Sequence, residues 1–371
     1  MRSEKLMVFY LACAVMLLSK GIYLVSGYIW SSIHDSHMSI FDILNQGHSG
    51  WYASVIENGY LKEPTTEEGI TANSAFFSLY PLLVTGLVKI SNLSTNQAGA
   101  VLSTAFLTVA LYYTYRYVSL TRGKISATTA ILLIALGPYS FYFSALSTDS
   151  LFILLVILSF YFLEQKRWIM SGIIGALLSF TRPLGVVILI PLIFKMFLES
   201  QRKGEKPREF LVNVLKNEKK LLSLLLVPSG LFLYMTFLYF YIGDPLAFKN
   251  TQTVLSDIYS NVSISVFRGL VGSISDRYLL VLGIFGFIGS LYLVRKKHYS
   301  EGLFGAFIML IPMISGLETV PRYIIGSVVL VLAVNDYISR FNKYKWLLII
   351  LLGALNILLL FMWYLTQPLA P

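Results

Sequence analysis

Residues 76–92 read FFSLYPLLVTGLVKISN, and whether this stretch crosses a membrane decides the topology of the whole chain. The stretch is apolar enough to cross, but it is short and contains Pro81. Counting it as a span moves every later loop to the opposite side of the membrane. The distribution of Lys and Arg distinguishes the two cases, because cytoplasmic loops are enriched in both residues.

The composition of the chain is that of a polytopic membrane protein. Of 371 residues, 56% are hydrophobic and only 13% are charged, with a mean hydropathy of +0.70. A soluble globular protein has roughly 25% charged residues. A nucleic-acid binder or a cytosolic enzyme is therefore disfavoured despite the net charge of +10. The single cysteine, Cys13, excludes an intrachain disulfide and a cysteine-based metal site.

Apolar runs with few charges recur along the chain, and because backbone groups in lipid must bond internally, such runs are predicted helices. The first run has no cleavage signal after it and is predicted to be retained, with its start in the cytoplasm. The runs are 6–28, 76–92, 97–119, 125–146, 149–163, 168–181, 184–199, 221–242, 278–294, 302–317, 323–338 and 346–365.

The basic residues favour a topology in which 76–92 does not span. In that topology 21 of the 29 Lys and Arg residues are cytoplasmic and 7 lie outside, with Lys20 inside the first helix. If 76–92 spans, the numbers become 8 and 20. We therefore predict an all-α, single-domain polytopic protein with eleven spans. The 76–92 run becomes an interfacial or re-entrant helix on the outer face.

The same test divides 168–199 into two short helices that meet at Arg182 and Pro183. Each helix has only about 14 to 16 residues, fewer than the usual 20 or so, which predicts a meeting point recessed below the outer surface. A recess at a broken helix pair is a common place for an ionic site in a membrane protein. Most of the sequence outside the membrane is predicted in two outer segments, 29–96 and 243–277.

The unusual polar clusters all fall on the predicted outer face, in five different loops. Such convergence is what a single site built from helix ends would produce. The clusters are NQGHSGWY (45–52), ENGY (57–60), FFSLYP (76–81), STDS (147–150), TRPLG (181–185), GDPLAFKNTQ (243–252) and ETVPRY (318–323).

The charged residues in these clusters each allow a structural and a functional interpretation. Asp149 could cap the helix that follows together with Ser147, or could act as a general base or orient a substrate hydroxyl. Arg182 and Arg322 could form structural ion pairs, or could bind a phosphate bidentately through the planar guanidinium group. Both cations lie on a face that is otherwise poor in positive charge, which favours phosphate binding.

The aromatic and histidine residues of the first outer segment also leave alternatives open. Trp51 and Tyr52 could anchor the chain at the membrane interface. His34, His37 and His48, with Asp35 and Asp42, could suggest a metal site, although their spacing matches no zinc motif. No phosphate-binding loop, dinucleotide fingerprint or nucleophile elbow is present in the sequence.

Taken in order, the clusters resemble the motifs of the PIG-V-like mannosyltransferases, polytopic glycosyltransferases of the GT-C fold. The family pattern W-D-x-x-W-Y-x-x-I-A-x-x-G-Y is similar to GHSGWYASVIENGY at 47–60. The patterns F-F-P-L-Y-P, Y-[ST]-[DE]-S-L-F, R-P-x-G, G-D-P-L-A-F-x-x-x-Q and P-R-Y correspond to FFSLYP, LSTDSLF, RPLG, GDPLAFKNTQ and the PRY of 321–323. The resemblance covers roughly residues 40 to 330.

One position departs from the family pattern. The aspartate of the first outer loop, which GT-C enzymes are thought to use as a base or a metal-associated acid, corresponds here to His48. The candidates for its role are His48 itself, Asp149 and Asp42. A histidine titrates near neutrality and can act as a base. No cofactor is implied with certainty, and a divalent cation is compatible with the family resemblance.

The resemblance implies transfer of a sugar, mannose in the family, from a polyprenyl-phosphate donor to a hydroxyl of a lipid-linked or surface glycan, with inversion. In that scheme Arg182 or Arg322 holds the leaving phosphate, and Asp244 orders the second outer loop. Further substrate-binding residues in the matched motifs are Trp51, Tyr52, Tyr80, Gln252 and Tyr323. The compact loops favour a bacterial member of the family, so the site would face outwards in a cell membrane. Its partners would include membrane lipids and no nucleic acid.

Two other classes of function compete with a glycosyltransferase. Eleven spans and a broken helix pair would suit a transporter or flippase, but no inverted repeat is found and the charges gather on one face. A catalytically silent relative that binds lipid-linked sugars is the other alternative, and the change at His48 supports it.

Overall fold

The computed structural model describes residues 2–34, 39–43, 45, 49–62, 73–251, 269–341 and 343–365, and these residues form helices and turns without a strand. Three short 3-10 segments, Ser140–Ser144, Pro183–Ile188 and Leu317–Thr319, accompany the α-helices. The helices are α1 (Arg2–Ile33), α2 (Ile40–Ile43), α3 (Ser49–Asn58), α4 (Leu79–Ile90), α5 (Thr95–Arg122), α6 (Lys124–Leu136), α7 (Asp149–Glu164), α8 (Trp168–Thr181), α9 (Leu189–Arg202), α10 (Pro207–Lys216), α11 (Glu218–Ile242), α12 (Ile274–Arg295), α13 (Tyr299–Ser315), α14 (Val320–Gly326), α15 (Val329–Ile338) and α16 (Lys345–Tyr364).

The predicted class, an all-α multi-pass membrane protein, is confirmed by the described residues. Six helices are long and apolar enough to cross a membrane, and a seventh span is possible if the bent pair Leu317–Gly326 and Val329–Ile338 counts as one. The predicted number of eleven is not confirmed. The runs at 125–146, 149–163, 168–181 and 302–317 form helices of 13, 16, 14 and 17 residues. At 1.5 Å per residue these reach about 20–26 Å, less than a hydrocarbon core of about 30 Å.

Helix α4 occupies the stretch that decides the topology. It has 12 residues and therefore extends only about 18 Å, too short for a full span. Its Tyr80, Pro81 and Val84 are buried against the protein, whereas Leu82 and Ile90 are exposed. A short helix with one apolar face outward is what an interfacial or re-entrant segment requires. The side of the membrane on which it lies stays a prediction.

The break between α8 and α9 falls where the sequence predicts it. Arg182 leaves the helical region, with φ −153° and ψ 144°, because the ring of Pro183 disfavours a helical conformation for the preceding residue. The 3-10 segment Pro183–Ile188 then turns the chain into α9. Gly185 packs so closely on the backbone of Leu178 that an added Cβ would overlap it. The chain can therefore fold back on α8 only with glycine at this position.

Two predicted continuous runs are interrupted in the structure. The run at 125–146 is helical only to Leu136, after which Gly137 and Pro138 end α6 and Ser140–Ser144 form a 3-10 segment. The run at 323–338 is broken between α14 and α15, which are bent by 61°. The first interruption has a local cause, the Gly137-Pro138 pair, but the second has no proline. It centres on Val328, which has a positive φ of 62° that is rare for a β-branched residue.

Helix α7 lies at the centre of the bundle. Twelve of its sixteen residues are buried, and it packs against α5, α8 and α14. Gly326 of α14 lies so close that an added Cβ would be 3.1 Å from the Phe152 ring of α7. The N-terminus of α7 thus meets the broken ends of two other helices inside the protein.

Candidate functional site

Three charged side chains meet at the N-terminal end of α7. Asp149 is the first residue of that helix, Arg182 follows the last residue of α8, and Arg322 lies in the first turn of α14. Asp149 is fully buried, and the two arginines are only 7% and 8% exposed. We call these three residues the Arg-Asp-Arg cluster.

The carboxylate of Asp149 is shared between the two arginines. Nη2 of Arg182 donates to Oδ1 of Asp149 at 2.6 Å. Nη2 and Nε of Arg322 donate to Oδ2 at 2.9 and 3.2 Å. Charge-assisted hydrogen bonds of this kind are roughly twice as strong as neutral ones. The two broken helices are therefore joined to α7 through a single carboxylate.

The cluster carries a net positive charge, because one carboxylate faces two guanidinium groups. Within the described chain no hydrogen-bond partner is found for Nη1 of Arg182 or for Nη1 of Arg322. A buried cation that keeps an unused donor is suited to an anionic ligand, because the ligand supplies the missing charge and hydrogen bond.

Aromatic rings flank both guanidinium groups. The Arg182 guanidinium carbon lies 4.9 Å from the centroid of Phe152 and 5.7 Å from that of Tyr323. The Arg322 guanidinium carbon lies 6.0 Å from the centroid of Tyr142. Rings at these distances attract the cations and limit their orientation. Tyr323, predicted from the PRY motif, is thus placed at the cluster.

The residues just before Asp149 connect the cluster to the first outer segment. Ser147 donates to Oδ2 of Asp149 at 2.7 Å, and the Thr148 hydroxyl accepts from Nε of Arg182 at 2.8 Å. The Tyr52 hydroxyl lies 3.1 Å from that of Thr148. The side-chain oxygen of Asn45 accepts from the backbone N–H of Leu146 at 2.7 Å. The motifs at 45–52, 147–150, 181–185 and 318–323 therefore converge in the structure.

Around Tyr52 lies an aromatic group that includes two other predicted substrate-binding residues, Trp51 and Tyr80. Phe76 stacks on Trp51 with centroids 5.8 Å apart and meets Tyr52 edge-on at 5.0 Å. Tyr80 lies 5.8 Å from Tyr52, but it is fully buried and its hydroxyl is 2.9 Å from that of Ser103. Tyr80 therefore supports Tyr52 from behind, whereas the partly exposed Trp51 can still meet a ligand.

Other predicted residues lie in separate surroundings. Asp42 accepts hydrogen bonds from Ser39 and Asn96, both at 2.6 Å, and these bonds lower the pKa of its carboxyl. Asp244 accepts from the backbone N–H of Leu246 at 2.9 Å and from Asn250 at 2.7 Å, so it orders the chain after α11. His48 and Gln252 lie outside the described residues, and their predicted roles stay predictions.

The alternatives for the charged residues can now be compared with the structure. Ser147 accepts only a long hydrogen bond from the backbone N–H of Asp149, at 3.5 Å, and the Asp149 carboxylate accepts from both arginines. Capping is thus not its main contact, although the helix dipole still favours an anion at this position. The expected ion pairs of Arg182 and Arg322 exist, with one common partner.

Sequence reasoning missed several residues at this site. Thr148, Phe152 and Tyr142 contact the arginines; the first two lie in the motif LSTDSLF but were not assigned a role, and nothing in the sequence marks Tyr142. Lys20 had a signal, since it is a lone cation within an apolar run. Its Nζ donates to the Ser144 hydroxyl at 2.6 Å and the Phe143 carbonyl at 3.3 Å, which ties α1 to the segment that carries Tyr142.

The described residues do not fit a metal site. No group of three His, Cys, Asp or Glu side chains within the described ranges is placed to hold an ion. Asp149 faces two arginines, and the ring of His34 stacks on Trp30 at 3.7 Å. Three of the five residues suggested for a metal, Asp35, His37 and His48, lie outside those ranges.

Of the comparisons with known proteins, only the comparison with solved structures finds a similarity. No family model matches the chain, and no curated protein matches its sequence significantly. Among solved structures, the chain is similar to the Archaeoglobus fulgidus oligosaccharyltransferase, crystallised with zinc and sulfate. The TM-score is 0.45 and the identity 12%, over 94% of this chain and 53% of that one. The chain thus spans about half the length of that protein. Nothing about the activity of this chain follows from so distant a similarity.

Proposed function

We propose that this chain is a membrane glycosyltransferase of the GT-C type, which moves a sugar from a polyprenyl-phosphate donor to a hydroxyl group. The Arg-Asp-Arg cluster is the observation that carries this proposal. It is buried, positively charged overall, and built from the ends of three helices in an apolar bundle. The order of the sequence motifs supports the same class of enzyme, with mannose as the sugar and inversion as the stereochemical course.

The cluster is suited to the phosphate of the donor. The Nη1 groups of Arg182 and Arg322 are the donors left over after both arginines bind Asp149. In a water-poor site these fixed cations stabilise the negative charge that develops on the phosphate as the sugar leaves. The acceptor oxygen forms a bond to the anomeric carbon, the bond from that carbon to the phosphate oxygen breaks, and the electron pair stays on the phosphate.

In this scheme Asp149 is a positioning residue. Both of its oxygens accept hydrogen bonds from guanidinium groups, and a carboxylate stabilised in this way is a poor proton acceptor. Asp42 is also hydrogen-bonded through both oxygens. We therefore assign the acceptor proton to His48, which the family resemblance aligns with the first-loop aspartate. Support comes from Asn45 and Tyr52, which flank His48 in the sequence and contact the segment before Asp149.

A second candidate function is a silent relative that binds lipid-linked phosphate without transfer. It is favoured by the observation that Asp42 and Asp149 each accept hydrogen bonds through both carboxylate oxygens. Such a protein would keep the anion site but lack a base. The two candidates differ only in turnover, so they can be separated by assays of binding and of transfer on the same preparation.

The test is transfer from radiolabelled polyprenyl-phosphate mannose, with other polyprenyl-phosphate sugars in parallel, to lipid acceptors in membranes that contain the purified protein. We expect Arg322→Ala to lower turnover on the order of 100-fold, as loss of one charge-stabilising donor does elsewhere. Arg340→Ala is the control, because Arg340 is exposed and donates only to Tyr292 among the described residues. Folding of each variant is checked by its thermal unfolding.

Each outcome of this test has a distinct meaning. Undiminished turnover in a folded Arg322→Ala variant would refute the role of the cluster. Absence of transfer by the unmodified protein, with binding of polyprenyl phosphate that depends on Arg322, would establish the silent relative. Transfer that Arg322→Ala abolishes but His48→Ala leaves intact would remove His48 as the base.

A further inference from the structure

The connector between α9 and α11 is strongly basic and contains its own helix. Between residues 200 and 220 the chain has seven basic and three acidic residues. Helix α9 belongs to the candidate span Pro183–Arg202, and α11 is itself a candidate span, so both ends of the connector lie at one membrane surface. The charge distribution predicts this surface to be cytoplasmic. Helix α10, about 15 Å long, lies between these two ends.

One side of α10 packs on the protein. Phe210 meets Phe197 of α9 edge-on with centroids 5.4 Å apart, and Val214 is buried. Helix α10 contacts both α9 and α11. These contacts fix its rotation about its own axis, so the direction of every other side chain on the helix is determined.

A second side of α10 is apolar and uncovered. Leu211, Val212 and Leu215 are 62%, 48% and 55% exposed, and nothing in the described chain covers them. At 100° per residue they form one face, which has Arg208 at its N-terminal end and lies next to the buried face of Phe210 and Val214. Glu209, Asn213 and Lys216 form the remaining, polar third. A helix with two apolar faces and one polar face needs an apolar surface beyond the protein itself.

Positive charge surrounds this exposed apolar face. Lys206, Arg208, Lys216 and Lys219 are all exposed on α10 or beside it. At the end of α9, the carboxylate of Glu199 lies within 4.0 Å of Lys166, Lys203 and Lys220, which leaves a surplus of positive charge there as well. Exposed leucines ringed by lysine and arginine at the level of two span ends match the interface of an anionic bilayer.

We propose that α10 lies in the membrane surface at this end of the bundle, with Leu211, Val212 and Leu215 among the acyl chains and its basic neighbours on anionic phospholipid headgroups. The occupant is the leaflet itself, because the face is continuous with the ends of two spanning helices. This inference is independent of the proposed transferase activity, since α10 lies at the opposite end of the chain's spans from the predicted outer site.

The depth of α10 tests the apolar part of the proposal. In a Cys13→Ala background, a fluorophore is attached to Leu211→Cys or, as the control, to Asn213→Cys, which lies about 200° away around the helix. The full-length protein is reconstituted in vesicles with phosphatidylglycerol. We expect brominated lipid to quench the label at 211 at least severalfold more than the label at 213, and aqueous iodide to do the reverse. Equal accessibility of the two labels to iodide would overturn the proposal.

The lipid preference tests the charged part. Lys206, Arg208, Lys216 and Lys219 are changed together to glutamine, and the control variant changes Arg295, Lys296, Lys297 and Lys343, which are exposed in other loops of the same predicted side. Phosphatidylglycerol and phosphatidylcholine retained by each purified protein are compared by mass spectrometry. Each basic residue near an anionic membrane surface raises the affinity of the protein for that surface roughly fivefold. Loss of the preference only in the α10 variant supports the proposal, and equal loss in both variants contradicts it.

Discussion

The shared carboxylate of Asp149 predicts strong energetic coupling between Asp149 and Arg322. Arg322 donates two charge-assisted hydrogen bonds to Oδ2, and both residues are buried. Replacing Asp149 by asparagine leaves two buried guanidinium groups without a carboxylate, which should cost about 3–5 kcal/mol of unfolding free energy. Arg322→Met should cost less, about 1.5–3 kcal/mol, because Asp149 keeps its bonds to Arg182 and Ser147.

The double variant separates coupling from simple addition. Once Asp149 is asparagine, Arg322 has lost its carboxylate, so removing Arg322 relieves an unpaired buried charge. The combined loss should therefore fall short of the sum by about 2–4 kcal/mol. Reversible unfolding in mixed micelles measures each free energy. The control cycle pairs Asp149→Asn with Arg340→Met, which should be additive within about 0.5 kcal/mol. Additivity in the Arg322 cycle as well would refute the arrangement of the cluster.

Two further predictions concern packing and pH. Gly230→Ala should destabilise the protein by about 1–3 kcal/mol, because the added Cβ would overlap the carbonyl oxygen of Ala176 where α11 crosses α8. The control Gly86→Ala, in open space on α4, should be neutral or slightly stabilising. Thermal unfolding compares the two variants. The pKa of Asp42 is lowered from its ordinary 3.8 by hydrogen bonds, so its contribution to stability is full above that value and is lost as the pH falls below it. The fall in unfolding temperature from pH 6 to pH 3 should therefore be smaller in Asp42→Asn, and an equal fall would contradict the assignment.

The helical class and the break between α8 and α9 could be predicted from local chemistry. Composition and apolar runs identify spanning helices, and Pro183 restricts its predecessor wherever it occurs. The break at Val328 could not be predicted, since no proline lies there and the residue with the positive φ is a valine, although Gly326 ends α14 just before it. The eleven-span prediction depends on taking each apolar run as one full helix. Buried helices such as α7 are equally apolar but need not be long enough to cross, because protein surrounds them.

The candidate site could be predicted only in part. The motif order placed Asp149, Arg182 and Arg322 on one face, and the structure brings them into contact. Their pairing could not be read from the sequence, because the three residues are 33 to 173 positions apart. Tyr80 shows the same limit, since an aromatic residue in a motif can equally line a pocket or fill the core behind it.

Binding of polyprenyl phosphate tests the central claim, that the Arg-Asp-Arg cluster is a lipid-phosphate site, most directly. The affinity of the purified protein for polyprenyl phosphate is compared with its affinity for the uncharged polyprenol, in the unmodified chain, in Arg322→Met and in the control Arg340→Met. We predict at least about tenfold tighter binding of the phosphate form, since two charge-assisted hydrogen bonds contribute more than the 1.4 kcal/mol that this factor requires. That preference should weaken at least severalfold in Arg322→Met, in which only Arg182 can still bind the phosphate, and should persist in Arg340→Met. An unchanged preference in a folded Arg322→Met variant would contradict the account.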